Sequence, residues 1–154
     1  MEEKQCEFDD WNVVKKNLDS NGRQPNPKQG EIWWVGSGKN VGSEIDGKGS
    51  TFARPFLVYR KLSRYNFMGI PLTSQEHEGS WYVQFEQAGR IETAIIAQAR
   101  CLSIKRLYSK LGQIDDDDLL RIKKAFLEFY DIRIGKNVPP SCEGGRSGDI
   151  PNMT

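Results

Sequence analysis

The feature that most constrains this chain is a succession of short strand-like segments between Glu31 and Leu102, interrupted by polar or glycine-containing turns. EIWWV (Glu31 to Val35) is β-branched and aromatic, and a long glycine-rich loop, GSGKNVGSEIDGKGS (Gly36 to Ser50), follows it. Then come FARPFLVYRKL (Phe52 to Leu62), FMGIPLTS (Phe67 to Ser74), SWYVQF (Ser80 to Phe85) and TAIIAQARCL (Thr93 to Leu102). β-Branched and aromatic side chains suit a pleated, half-buried surface, so such a series predicts a mainly β domain, a small barrel or sandwich. At 154 residues the chain can bury one substantial core but not two.

Helices flank this β region. FDDWNVVKKNL (Phe8 to Leu18) reads as a short helix that Asp9 or Asp10 can cap, with Trp11, Val14 and Leu18 on one apolar stripe. DSNG (Asp19 to Gly22) ends it, and RQPNPKQG (Arg23 to Gly30), with its prolines and no apolar residue, reads as a linker. Downstream, IKRLYSKL reads as a helix with Ser103 as its cap and Gly112 just past its end. A further helix starts at Asp115, where Ile114 and Leu119 can form a hydrophobic staple and Leu119, Ile122, Phe126 and Phe129 make a stripe. Gly135 to Thr154 is rich in Gly, Pro and Ser and reads as a mobile tail. The expected organisation is a helix and linker over 1–28, a β domain over 29–131 and a tail over 132–154. No internal repeat is visible.

Hydrophobic residues make up 37% and charged residues 28%, a globular balance rather than a disordered one. No apolar run approaches the roughly 20 residues of a membrane span. The N-terminus MEEKQCEFDD is acidic and lacks an apolar segment, so no targeting signal is read there and a cytoplasmic protein is expected. Cys6, Cys101 and Cys142 are scattered and offer no metal-ligand spacing; Cys101 lies in an apolar stretch and is expected in the core. The single histidine, His77, falls in a polar loop-like stretch and reads as a surface residue. Neither a Cys–His pair nor a histidine-based metal site suggests itself, and no cofactor is implied.

Net charge is +1, but it is unevenly spread. Residues 1–20 hold six acids and three bases, whereas residues 51–112 hold nine bases and four acids. A basic middle suits contact with phosphate, although an ordinary mixed surface can look the same. GSEIDGKG (Gly42 to Gly49) imitates a phosphate loop until Gly49 stands where Ser or Thr should hold Mg²⁺. It also leads into a strand rather than a helix, so its glycines read as a flexible flap. The run Asp115–Asp118 converges poorly on one ion, because adjacent helical residues diverge, and it reads as capping and dipole compensation. Trp33 and Trp34 must point to opposite faces of their strand, so at least one is expected in the core.

Three segments, taken in order, resemble the MazF/PemK toxin family. They are QGEIWWV with VGSE (Gln29 to Glu44), then ARPFLVY (Ala53 to Tyr59) with GIPLTSQ (Gly69 to Gln75), and finally TAIIAQARCLSIKRLYSKLGQIDDDDLLRIKKAF (Thr93 to Phe126). Each is weakly specific alone; their order and spacing over about residues 29–130 are much more so. The resemblance implies an SH3-like small β-barrel of the MazF/PemK/CcdB type with a short helix and a C-terminal helix, here with an N-terminal helical extension. It implies a homodimeric toxin of a type II toxin–antitoxin module that cleaves single-stranded RNA without a metal. The substrate's own 2′-hydroxyl attacks, leaving 2′,3′-cyclic phosphate and 5′-hydroxyl ends. An antitoxin, acidic and partly disordered, is the implied partner that covers the RNA groove.

The arginine of the family's R-P-x-L-V pattern is Arg54 here, and the threonine of its T-S strand end is Thr73. A guanidinium can form bidentate hydrogen bonds to the charge that builds on a phosphorane, and a hydroxyl can orient the phosphate or the attacking 2′-oxygen. Ser43, Glu44, Lys48, Ser74, Gln75 and Gln98 are the expected loop and groove contacts, with Glu44 a base if the loop brings it near. The plain alternatives are a surface arginine before a strand, and a threonine satisfying its own backbone. One departure matters: an acid that precedes glutamine in the last strand of many family members is Ala97 here, before Gln98. Ser103 replaces the aspartate that opens the next helix, a harmless change because both residues cap. Two further readings stay open on the same fold, a gyrase poison like CcdB and an inactive relative that binds RNA or antitoxin.

Overall fold

A computed structural model describes residues 2–131. Cys142 and the tail expected over 132–154 lie outside the described residues. The chain runs α1 (Glu2–Ser20), β1 (Glu31–Gly36), β2 (Ala53–Lys61), β3 (Asn66–Thr73), β4 (Tyr82–Gln87), β5 (Arg90–Ile95), β6 (Arg100–Ser103), β7 (Leu107–Gln113) and α2 (Asp116–Phe129). The strands form one antiparallel sheet in the order β4-β5-β3-β2-β1-β7, with β6 added on β3. The expected barrel is therefore an unclosed one: among the described residues β7 and β4 remain the ends of the pairing order.

β2 explains why the sheet holds together. Phe56, Leu57 and Val58 are all buried, which an alternating strand achieves only when both faces are covered. Leu57 joins Ile32, Ile70, Leu72 and Phe85 beneath Leu119 and Ile122 of α2, while Phe56 and Val58 join Val35, Phe67, Leu102 and Leu107 in a second cluster. Ile114 and Leu119 enter the first cluster together, as the staple predicts. Trimming Ile122, which is fully buried, to Ala would cost about 2–5 kcal/mol. Trp33 packs on the second cluster while Trp34 stands exposed, so the two do part to opposite faces.

Four expectations change. IKRLYSKL is not a helix. Ser103 does accept a hydrogen bond from the Lys105 N–H, but the helical turn it caps spans only Ile104–Arg106, after which Leu107–Gln113 extends along β1. Without it β1 would have an unpaired edge, and that pairing, with Leu107 buried, outweighs a helix propensity worth tenths of a kcal/mol per residue. TAIIAQARCL is two strands split by a turn at Ile96–Gln98. α1 begins at Glu2, so Asp9 and Asp10 lie inside it rather than capping it. Cys101 is exposed rather than buried.

The helical stripe of α1 is as expected, with Trp11 and Leu18 buried against Phe52, Val14 and Tyr108. His77 sits in the β3–β4 loop, stacked on Tyr82 at 4.8 Å. No helix among the described residues is long and apolar enough to cross a membrane.

Candidate active site

Two prolines help to open the site. Pro55 in β2 and Pro71 in β3 cannot donate to a ladder, and the β2–β3 pairing ends at Phe56 opposite Pro71. Carrying the antiparallel register two residues further brings Arg54 level with Thr73. There the strands separate, and the Arg54 guanidinium occupies the gap. Its Nε donates to the Asp46 carbonyl at 2.7 Å and its Nη1 to the Leu72 carbonyl at 3.1 Å. Two of the five guanidinium N–H groups are held in this way, and the others are available to a ligand. Arg54 is only 9% exposed. Burial lowers its pKa, and the neighbouring Asp46 charge pushes back upward.

Thr73 ends β3 and is held by β5, where Thr93 is its register partner. Its hydroxyl accepts from the Gln75 N–H at 3.2 Å, which is the local role open to any strand-end threonine. A hydroxyl that accepts still has a proton to donate, so this bond does not occupy it fully. Arg54, Thr73, Ser74 and Lys48 line one cleft of about 780 Å³. Trp34, Arg90, Glu92 and Tyr108 also line it, and of these Glu92 and Tyr108 carry no signal in the sequence. Glu92 reaches the cleft because β5 pairs with β3 at Thr93, a long-range register that no local motif encodes. Burial raises the pKa of its carboxyl, partly offset by Arg90. Three cations and this one carboxylate line the cleft, a balance suited to an anion.

The other expected contacts gather elsewhere. Ser43, Glu44 and Gln98 line a second pocket of about 680 Å³ with Trp81, Phe129 and Arg100. Gln98 ties the loop down, its Oε1 accepting from the Ile45 N–H at 2.7 Å and its Nε2 donating to the Ser43 carbonyl at 3.4 Å. Ala97 lines this pocket too, so the carboxylate lost at that position is lost from here rather than from the cleft. Glu44 stands across the pocket, its carboxylate accepting from the Val41 N–H at 3.2 Å, and it does not line the cleft. Gln75 lines neither pocket; its side chain is exposed. The loop expected to be a slack flap is cross-braced instead, with Gly47 N–H donating to Gly38 and Lys48 pairing with Ala53.

The comparisons with known proteins agree with this architecture. Residues 28–130 match the family described as PemK-like, MazF-like toxin of type II toxin-antitoxin system, and the chain belongs to that family. Among solved structures, MazF (Form-I) from Deinococcus radiodurans superposes with a TM-score of 0.57 at 18% identity, covering 68% of this chain and 96% of that one. An endoribonuclease in complex with its cognate antitoxin from a mycobacterial species gives 0.54 at 15% identity, covering 70% and 98%. MazE-MazF (Form-II) from Deinococcus radiodurans gives 0.53 at 16% identity, covering 68% and 94%. At these identities the likeness is one of fold. No curated protein sequence matches the chain.

Proposed function

We propose that this toxin is an endoribonuclease that cuts single-stranded RNA by attack of the 2′-hydroxyl on the adjacent phosphate, leaving 2′,3′-cyclic phosphate and 5′-hydroxyl ends. The observation that carries the proposal is the convergence of Arg54, Thr73 and Glu92 on one cationic cleft. The scissile phosphate would lie against the free N–H groups of Arg54, which neutralise the charge gained in the phosphorane. The Thr73 hydroxyl would donate to a non-bridging oxygen. Glu92 would take the proton from the 2′-hydroxyl while water protonates the departing 5′-oxygen, and its raised pKa brings it closer to neutrality, as a general base requires. Because the nucleophile is the substrate's own hydroxyl and the charge is met by a guanidinium, the chemistry requires no metal.

The second pocket would hold bases, with Trp81 and Phe129 as stacking surfaces and Gln98 as an amide reader. The MazE-MazF and endoribonuclease–antitoxin structures support an antitoxin as the physiological partner, and the family fold supports a homodimer. The deciding experiment is cleavage of a mixed-sequence RNA in excess EDTA by wild type and Arg54→Ala, with ends mapped by primer extension and tested for cyclic phosphate. Discrete cuts by wild type alone support the reading. An inert wild type would abandon it in favour of gyrase inhibition or binding without cleavage.

A further inference from the structure

Helix α1 precedes the segment that matches the family, yet it grips the loop that holds Arg54. A Cβ at Gly38, which has φ +93°, would lie 2.5 Å from the Trp11 ring, so the loop's first turn is seated directly on the indole. The same ring packs on Phe52 at 5.7 Å between centroids. Phe52 is a bulky residue with φ +47°, a conformation that persists only where the surroundings impose it. It stands two residues before Arg54. Between these contacts lies an ionic one. Lys39 Nζ is 2.5 Å from Glu7 Oε2 of α1 and 3.1 Å from Asp46 Oδ2. The Lys39 side chain is 15% exposed, against 46% for Glu7 and 35% for Asp46.

Asp46 faces two ways. Its backbone carbonyl holds Arg54 Nε, its Oδ1 accepts from the Asn40 N–H at 2.6 Å, and its Oδ2 meets Lys39. An unrestrained carboxylate at this position would be drawn to the guanidinium and would compete with a phosphate for the same N–H groups. We infer that Lys39, anchored by Glu7 of α1, is a positioning residue that keeps the Asp46 carboxylate away from Arg54 and so leaves the guanidinium open to an anion in the cleft. The inference deepens the ribonuclease reading and rests on it for its consequence in catalysis, though not for the geometry.

The test uses the full chain. Lys39→Met should lower kcat/KM on a short RNA roughly tenfold, with KM raised, because the freed carboxylate competes with the substrate's phosphate for the guanidinium. Lys39→Arg should keep most of the rate. The decisive variant is Lys39→Met with Asp46→Asn, which removes the competing charge while retaining an Oδ1 acceptor and the backbone carbonyl; it should recover the rate. A double variant no faster than the single one, or a Lys39→Met enzyme with unchanged kcat/KM, overturns the inference.

A second arm does not depend on cleavage. The Arg54 Nε–H resonance, assigned by its loss in Arg54→Lys, should shift in Lys39→Met and return towards its position in the double variant. A wild type that cuts no RNA, with the resonance still shifted in Lys39→Met, would refute the ribonuclease reading and leave the positioning role standing; an unmoved resonance refutes the role itself. Should Lys39→Met fail to fold, Glu7→Gln, at a half-exposed side chain, should move the resonance in the same direction, and an unmoved one overturns the inference equally.

Discussion

Gln75 apart, the residues expected to form one site are distributed between two cavities with different chemistry. The cleft at Arg54 is bordered by cations and one half-buried carboxylate. The pocket at Gln98 is bordered by aromatic rings and amides, with a backbone-bound Glu44 and Arg100 as its charged groups. The loop between β1 and β2 contributes to both, through Lys48 and Gly49 to the cleft and through Asn40, Ser43, Glu44 and Ile45 to the pocket. Strong charge placed beside a buried guanidinium suits bond-making at phosphate, whereas flat rings and amides suit recognition of bases. On this reading the chemistry and the sequence preference of the toxin are separable, because different side chains carry them.

Mutations that hit the two cavities differently can break that separation. Arg54→Ala should have the largest effect, a loss of kcat of about a thousandfold, the upper end for removing a preorganised donor to a transition-state anion. Single-turnover cleavage measures it, and an effect on KM alone would place Arg54 in binding rather than chemistry. Glu92→Gln should cost roughly a hundredfold, as for loss of a general base.

The pH dependence of Glu92 has a defined sign. Burial raises its folded pKa above the ordinary carboxylate value, so the rate should fall as pH drops through that raised pKa, and Glu92→Gln should lack this acidic limb. The same shift means that the fold favours protonated Glu92, a stability contribution fully present below the unfolded pKa and lost as pH rises through the folded pKa. Glu92→Gln should therefore melt slightly higher than wild type at neutral pH while being slower, a combination that simple unfolding cannot produce.

Thr73→Val should cost about tenfold, the order expected for one neutral hydrogen bond strengthened in the transition state. Rescue by Ser would show that the hydroxyl acts, whereas equal loss in Thr73→Ser would assign the effect to packing of the threonine methyl group at the strand end. Gln98→Ala should have the smallest effect on rate at the best site, about threefold, comparable to losing part of one hydrogen bond. It should instead broaden the set of sequences cut, which sequencing of cleavage ends would reveal. A Gln98→Ala enzyme as impaired as Arg54→Ala would merge the two cavities into one catalytic unit.

Legibility from sequence follows the range of the interactions. β1, β2, β3 and β4 were visible because β-branched and aromatic runs broken by turns report on a few neighbouring residues at a time. α2 was visible for the same reason, through its acidic start, staple and stripe. Arg54 and Thr73 were legible through the family resemblance, and the prolines beside them explain in physical terms why the sheet parts at that place. IKRLYSKL was misread because its local signals, a capping serine and a following glycine, were sound, and only the vacant edge of β1 made the extended form better. Glu92 was invisible because nothing near it in sequence marks it.

The sequence by itself determined the mainly β class, the helices that flank the sheet and the motif that carries Arg54. Each of these depends on periodicity, turn chemistry and burial of apolar surface within a short stretch of chain. The tertiary structure alone decided that β7 is a strand, that Glu92 faces the same cleft as Arg54, that Gln98 belongs to a separate pocket, and that Lys39 stands between α1 and Asp46. These are matters of register and docking between segments far apart in sequence. A shift of one residue turns every side chain of a strand to the opposite face, so they are fixed only when the whole sheet assembles.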